Sequence, residues 1–453
     1  MEGMQEIEEY LYALKRKGPK LGLERMQALL EALGNPQDAF GSVLIGGTNG
    51  KGSTSAIMES ILRSAGYRTG LYTSPHLQVL NERIAIDNRQ ISDDELMGIC
   101  IEIKGVIEKR QKMDRSFEAP TFFELITAAA FLHFKKKGVD MAVVEVGLGG
   151  RLDATNTLAP LVSIITNISL EHTEILGDAI AKIAAEKAGI IKDGGFLITG
   201  SQDKEALDVF RKVCGERDSR MMRVGKEITV KRKPLDGGLP KQQFSVTIPD
   251  TSYDDLEMRL LGEHQLLNAG CACGAVYALR TQGITISDDA LRAGLLNAIW
   301  PGRMEIVQEN PMVMLDCAKD AAAARCLRIA LQEMLSQKPV ILVVSISADK
   351  SVDKMLEEVV PIADTVIATA HNVMGRAAAP EDLARMISRL GKPVIIIRDV
   401  KEAVAKARDL AGLRGAVIVT GSVFTVGEAR EMWFKPKSGS GRFGRDLNET
   451  PRK

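Results

Sequence analysis

Gly41-Ser42-Val43-Leu44-Ile45 runs into Gly47-Thr48-Asn49-Gly50-Lys51-Gly52-Ser53-Thr54, and from Thr54 to Gly66 a helical pattern sets Ile57, Ile61 and Leu62 on one face. Strand, glycine loop and helix in that order form the setting in which a backbone can hold phosphate. A helix N-terminus offers unpaired N–H groups and a partial positive charge. Glycines let the backbone close around phosphate oxygens. Lys51 is placed to reach the outer phosphates, and Ser53 or Thr54 to face a Mg²⁺ ion. The spacing is not that of the common P-loop, because Gly52 separates the lysine from the hydroxyl residues. The alternative is a structural glycine turn; the strand before and the helix after favour phosphate.

Outward from this loop the chain alternates. The first forty residues read as helices. Met141–Val146 is a continuous apolar run, as in a parallel strand buried on both faces. Leu161–Thr166 and Phe196–Thr199 are further strands. From Met222 to Leu261 the pattern becomes short, polar and turn-rich, read as antiparallel β structure, and His264–Arg280 reads as a helix. Alternation of this kind predicts an α/β fold with a P-loop-type, mostly parallel sheet over residues 1–300. A boundary is expected near Trp300-Pro301-Gly302. Beyond it Val313–Leu315, Val340–Ser345, Thr365–Thr369, Val394–Ile397 and Ala416–Thr420 predict a smaller, Rossmann-like α/β domain over residues 301–434. Residues 435–453 are basic, rich in Gly and Ser and poor in apolar residues, the composition of a disordered tail.

Composition narrows the function. The 453 residues carry 59 basic and 59 acidic side chains, so bulk charge recommends neither nucleic acid nor an anionic membrane. Aromatic residues make up 4%, which also argues against base-stacking platforms. Cys100, Cys214, Cys271, Cys273, Cys317 and Cys326 are scattered without paired metal-ligand spacing, and Cys271 and Cys273 fall in the predicted helix, where packing explains them. A reducing compartment, the cytoplasm, is expected. Met1–Tyr10 is acidic and helical rather than a leader, and no apolar run approaches a membrane span. A monomer working on small molecules is the expectation.

The phosphate loop, Tyr72-Thr73-Ser74-Pro75-His76-Leu77, Asn81-Glu82-Arg83-Ile84 and Glu145-Val146-Gly147-Leu148-Gly149-Gly150-Arg151-Leu152-Asp153-Ala154-Thr155-Asn156 together resemble the folylpolyglutamate synthase/dihydrofolate synthase family of Mur ligases. The resemblance continues through His172-Thr173-Glu174-Ile175-Leu176-Gly177, Glu186-Lys187-Ala188-Gly189-Ile190, Pro301-Gly302-Arg303 and Gly421-Ser422, nearly the whole chain except the tail. It implies an ATP-dependent ligase that activates a pterin-linked carboxylate as an acyl phosphate and passes it to L-glutamate. ATP and Mg²⁺ are the implied cofactors.

Residue by residue, the resemblance implies Mg²⁺ on Ser74, Glu145 and His172. Glu145 closes an apolar strand and His172 follows one, at the strand ends where open α/β sheets bind ligands. Oxygen-loving Mg²⁺ would not by itself have selected the histidine. Lys187, on a helix expected over Asp178–Ala188, reads from the residues alone as a surface lysine; the resemblance makes it a carbamylated, extra anionic ligand. Asn268, in His264-Gln265-Leu266-Leu267-Asn268, Arg303 and Asp316 are implied on the adenine, phosphate and ribose of the nucleotide. Arg303 sits at the expected hinge, where closure could deliver it. Thr121, Phe122 and Phe123, in Pro120-Thr121-Phe122-Phe123-Glu124, look like the pterin-side loop, and Arg83 and Asn156 join the implied substrate set; core packing is the competing reading for one of the two phenylalanines.

One stretch departs. Where the family reads Asp-Gly-Ala-His-Asn-Pro, this chain reads Asp316-Cys317-Ala318-Lys319-Asp320-Ala321. A charged lysine accepts no hydrogen bond, although it can pair with a phosphate or carboxylate. Lys319 and the retained Ser422 are implied near the amino acid, so the departure bears on the amine substrate. A Mur-type ligase with another acid or amine stays open, as does a silent nucleotide-binding protein. His371 is a candidate to take over the missing histidine's role, with nothing in the sequence to place it.

Overall fold

The computed structural model describes residues 2–16, 20–233, 241–336, 338–373 and 376–434. The expected tail, 435–453, lies outside the described residues. The chain divides into two compact units.

The first unit comprises Met1–His76, Leu80–Arg259 and His264–Ile299. Its strands are β1 (Gly41–Gly46), β2 (Thr69–Tyr72), β3 (Ile84–Ile86), β4 (Arg89–Gln90), β5 (Met141–Glu145), β6 (Val162–Ile165), β7 (Phe196–Thr199) and β8 (Arg220–Arg223), with β9 (Thr229–Arg232), β10 (Gln242–Ile248) and β11 (Thr251–Met258) in a separate sheet. The large sheet runs β4-β3-β2-β5-β1-β6-β7-β8. From β2 to β8 every neighbour is parallel, while β3 and β4 finish one edge antiparallel. Helices cover both faces, so β5 is buried at every residue, which is why its sequence is apolar without alternation. The antiparallel sheet is β11-β10-β9. The sequence reading assigned everything from Met222 to antiparallel structure. Instead β8 extends the parallel sheet through β7. It is only four residues long and half polar, because an edge strand is covered on fewer sides.

The second unit comprises Leu77–Val79, Leu260–Glu263 and the described residues from Trp300 onward. Its strands are β12 (Glu305–Glu309), β13 (Met312–Leu315), β14 (Val340–Val344), β15 (Thr365–Ala368), β16 (Val394–Ile396) and β17 (Ala416–Thr420), in the order β12-β13-β17-β14-β15-β16. All pairs are parallel except the β12–β13 hairpin. Separate apolar clusters cover its two faces, one around Met314, Leu342 and Ile418, the other around Val313, Val343 and Val417. The two short pieces from earlier in the chain join this unit by packing. Leu261 enters its core, and Gln78 is held by Arg430 at 2.7 Å and by the Phe434 carbonyl at 3.0 Å.

The six cysteines are free, five of them buried. Burial pushes the Cys271 and Cys273 thiols up to about 12, which suits inert packing groups. Among the described residues no helix is long and apolar enough to cross a membrane.

Candidate active site

β1 ends at Gly46, and the helix Lys51–Ser64 starts after four intervening residues. Gly47 has φ +134° and Gly50, the helix N-cap, φ +87°. A Cβ on Gly47 would stand 1.9 Å from Thr166 Oγ1, so the close approach also demands glycine. The loop is fastened to the residues that follow β6. Thr166 Oγ1 donates to the Asn49 carbonyl at 2.6 Å, Asn167 Oδ1 accepts from Asn49 N at 2.7 Å, and Thr48 N donates to the Asn167 carbonyl at 2.9 Å. From the other side, Gln265 Nε2 donates to Ser53 Oγ at 3.2 Å, and Asn268 Nδ2 donates to Gln265 Oε1 at 2.9 Å. Asn268 Oδ1 lies 2.4 Å from where a Cβ on Gly50 would be. Thr54 is fully buried. Thr166, Asn167 and Gln265 carry the loop's shape, a role the sequence does not single out for any of them; the loop alone says nothing about which distant residues brace it.

Two ammonium groups converge on the loop. Lys51 Nζ donates to the carbonyls of Gly47 and Thr48, each at 3.2 Å. Lys187 Nζ donates to the same Gly47 carbonyl at 2.8 Å and is 5% exposed. The sequence taken alone reads Lys187 as a surface residue; the structure corrects this. Its helix, Ile180–Ala188, packs so closely on the 147–151 loop that a Cβ on Gly150 would sit 3.0 Å from the Lys187 Cα.

The strands β2, β5, β1 and β6 are neighbours in the sheet, and each carries a candidate residue at its carboxyl end or in the segment that follows. Ser74 follows β2 and Glu145 ends β5, with Ser74 N donating to Glu145 Oε2 at 3.0 Å. The phosphate loop follows β1. His172 follows β6 with φ +52°, its Nε2 3.6 Å from Glu171 Oε1. Among the described residues no group of three His, Cys, Asp or Glu side chains gathers as a metal cage. A hydroxyl and a carboxylate fit Mg²⁺, which is commonly held by one or two carboxylates plus waters and phosphate oxygens rather than by an all-protein cage; the imidazole is the less usual ligand for it.

Beside Ser74 lies a cavity of about 260 Å³ whose lining includes Arg83, Thr121, Phe123, Leu148 and Asp153. Arg83 is buried; its Nε donates to His76 Nδ1 at 3.0 Å and its guanidinium lies 5.6 Å from the Phe122 ring centre. Thr121 both lines the cavity and caps the helix Phe122–Lys137 in a capping box with Glu124. Phe123 lines the cavity while Phe122 does not, and both rings are half-buried. Asp153, missed by the sequence reading, accepts from Leu148 N at 2.9 Å and Thr155 N at 3.0 Å, and burial raises its carboxyl above the usual range. Asn156 does not line the cavity. Its Nδ2 donates to the Arg151 and Gly189 carbonyls at 3.0 and 3.2 Å, and its Oδ1 accepts from Lys192 at 2.9 Å.

In the second unit Asp316 follows β13 and is buried, accepting from Met304 N at 3.0 Å and Ala318 N at 2.9 Å. Burial raises its carboxyl, opposed by the Arg303 guanidinium. Arg303 Nη1 donates to the Gly302 carbonyl at 3.0 Å. Lys319 is half-buried, and Asp320 caps the helix Ala321–Met334. Ser422 is buried and caps the helix Val423–Arg430, its Oγ accepting from Phe424 N at 3.2 Å.

Residues 45–276 match the model of the Mur ligase middle domain, and residues 302–423 that of the Mur ligase, glutamate ligase domain. A Bacillus subtilis relative named dihydrofolate synthase/folylpolyglutamate synthase is 34% identical over 432 residues, covering 94% of this chain and 98% of the relative. The structure of Mycobacterium tuberculosis folylpolyglutamate synthase complexed with ADP and AMPPCP superposes with a TM-score of 0.85 at 34% identity, covering 91% of this chain and 96% of that one. Escherichia coli FolC in complex with DHPP and ADP gives 0.84 at 30%, covering 95% and 97%. With both domain models matched in order and relatives aligned nearly end to end, the chain belongs to the folylpolyglutamate synthase/dihydrofolate synthase family of Mur ligases.

Proposed function

We propose that this ATP-dependent ligase joins a pterin-linked carboxylate, dihydropteroate or a folate, to L-glutamate through an acyl phosphate, releasing ADP and phosphate. The observation that carries the reading is the row of four neighbouring strand ends bearing Ser74, Glu145, the Lys51 loop and His172, with the Arg83–Phe123 cavity beside it.

The phosphates of ATP lie along Gly47–Thr54, with backbone N–H groups, Lys51 and the helix N-terminus facing them. Ser74, Glu145 and His172 would hold Mg²⁺, which neutralises phosphate charge during transfer. A carboxylate oxygen of the pterin acid attacks the γ-phosphorus and ADP leaves. The amine nitrogen of L-glutamate then attacks the acyl carbon; phosphate leaves and the amine loses its proton. Lys51 stabilises charge as it develops on the transferred group. Arg83 and Phe123 give the flat acid a donor and an aromatic wall. Burial supports carbamylation of Lys187, because removing an ammonium from water favours the neutral amine that reacts with CO₂. Arg303 and Asp316 serve the nucleotide, with Asn268 bracing the loop beneath it, and Lys319 and Ser422 serve the amino acid. The enzyme works as a cytoplasmic monomer in this reading.

The test is phosphate release from ATP with dihydropteroate and L-glutamate supplied separately and together. Sustained release is expected only with both. Absence of release with any pterin acid sinks the folate reading. A second reading, a different amine, is favoured by Lys319, and release indifferent to the identity of the amino acid would select it.

A further inference from the structure

At the carboxyl end of the second sheet, buried polar atoms stand without partners. His371, shortly after β15, is 4% exposed, and Thr420, the last residue of β17, 1%. Neither ring nitrogen of His371 nor the Thr420 hydroxyl bonds another residue among the described ones. A neutral imidazole carries one donor and one acceptor, and a hydroxyl carries both. Native folds seldom bury such groups unpaired; an exception points to a water, an ion or a ligand that completes it.

These groups share one place. β17, β14 and β15 are adjacent, and Thr420 and Ala368 both pair with Val344. Ser345, the next residue on the central strand, links the loops: its Oγ accepts from His371 N at 3.3 Å, and its carbonyl accepts from Thr425 Oγ1 at 3.2 Å. The His371 ring lies 5.2 Å from that of Phe424, in the first turn of the Ser422-capped helix. The Arg376 guanidinium lies 5.7 Å from the centre of the same Phe424 ring. Glu428, on the same helix, is engaged by Asn372, accepting from its N at 2.6 Å and its Nδ2 at 3.2 Å. Burial first and Arg376 second pull His371 down to about 4, so the ring is neutral at physiological pH. A neutral N–H, a hydroxyl, a helix N-terminus and a guanidinium together select a small anion with two oxygens.

We propose that His371 and Thr420 form the subsite that receives a carboxylate of the amino-acid substrate. This deepens the ligase reading above and rests on it. His371 thereby supplies a histidine to the amino-acid side, where Lys319 stands in the family's histidine position.

The test compares KM for L-glutamate, KM for ATP, kcat and melting temperature in wild type, His371→Leu, His371→Gln and Thr420→Val. Loss of one hydrogen bond to a charged ligand predicts a glutamate KM raised about tenfold or more in His371→Leu and severalfold in Thr420→Val. ATP KM stays within about twofold, His371→Gln recovers part of the loss, and neither apolar variant melts lower, since each removes an unpaired buried group. An unchanged glutamate KM in both apolar variants overturns the proposal. So does a parallel rise in both KM values with a lowered melting temperature, the mark of a packing role. If wild type itself shows no glutamate-dependent turnover, the ligase reading falls and takes this subsite with it; failure confined to the variants leaves that reading standing.

Discussion

At the carboxyl end of the first sheet, Asn49 is bonded to Thr166 and Asn167, and Thr48 to Asn167, across the loop, and Gln265 and Asn268 hold its far side. At the carboxyl end of the second, Ser345 binds the loops together, while His371 and Thr420 keep polar atoms that no described neighbour satisfies. The first arrangement is organised by the protein's own hydrogen bonds, so the entropy of ordering it is met when the chain folds. The second leaves part of its bonding to whatever binds there. A phosphate is the same group in every turnover and tolerates a rigid cradle; an amino acid must be told from its analogues, and unpaired buried groups reject a ligand that cannot satisfy them.

The comparison breaks most decisively at Lys51. Lys51→Ala is expected to lower kcat/KM by about 10²–10³-fold or more, the scale of a lost charge-stabilising donor, with an unchanged circular dichroism spectrum. Retained turnover would remove the lysine from the chemistry. Gly47→Ala tests how firmly the loop is braced. The new methyl meets Thr166 Oγ1 at 1.9 Å on a backbone at φ +134°. A loss of about 2–4 kcal/mol is expected, read by denaturant melts, with Gly47→Ala/Thr166→Ala recovering only the steric part. A wild-type melt for Gly47→Ala would show that the loop yields easily.

The smallest effect belongs to the second sheet. Burial, opposed by the hydrogen bond from Asn372 N, reinforced by Asp399 and Glu431 and opposed again by Lys401, raises Glu428 from its ordinary 4.5 to about 7. A raised folded value means that the native state holds the proton more tightly than the unfolded chain. Its stabilising contribution is therefore complete below pH 4.5 and is lost as the pH rises to about 7. Glu428→Gln should flatten that part of the stability profile, raising the melting temperature at pH 8 relative to wild type more than at pH 5. Parallel profiles would show that Glu428 does not titrate in this range.

Much of the first site was legible because its signals are local. A run of apolar residues, a glycine loop and a helical period lie within some twenty-five residues of one another, and each has a direct physical meaning. The parallel strands were legible for the same reason, since burial on both faces writes an unbroken apolar run. The edges were not. β4 and β12, each paired on one side only, are short or half-polar, and β3 beside β4 is three residues long, so little pattern is left to read. Nor was the burial of Lys187 or His371, because it depends on glycine-mediated packing and on loops that meet only in the folded unit. Asn156, brought forward by resemblance, is engaged within its own loop and the next helix end. Asp153, three residues earlier, lines the cavity instead, a choice within one short turn that only its geometry makes.

The doubly held carbonyl of Gly47 has a mechanical consequence. A carbonyl oxygen has two lone pairs, and here each meets a different lysine, one from the loop's own helix and one from a distant helix. Withdrawal of Lys51 toward an incoming anion leaves the Lys187 bond in place. The first lysine is thus a movable hand and the second a fixed anchor, and the loop can release one without losing its shape.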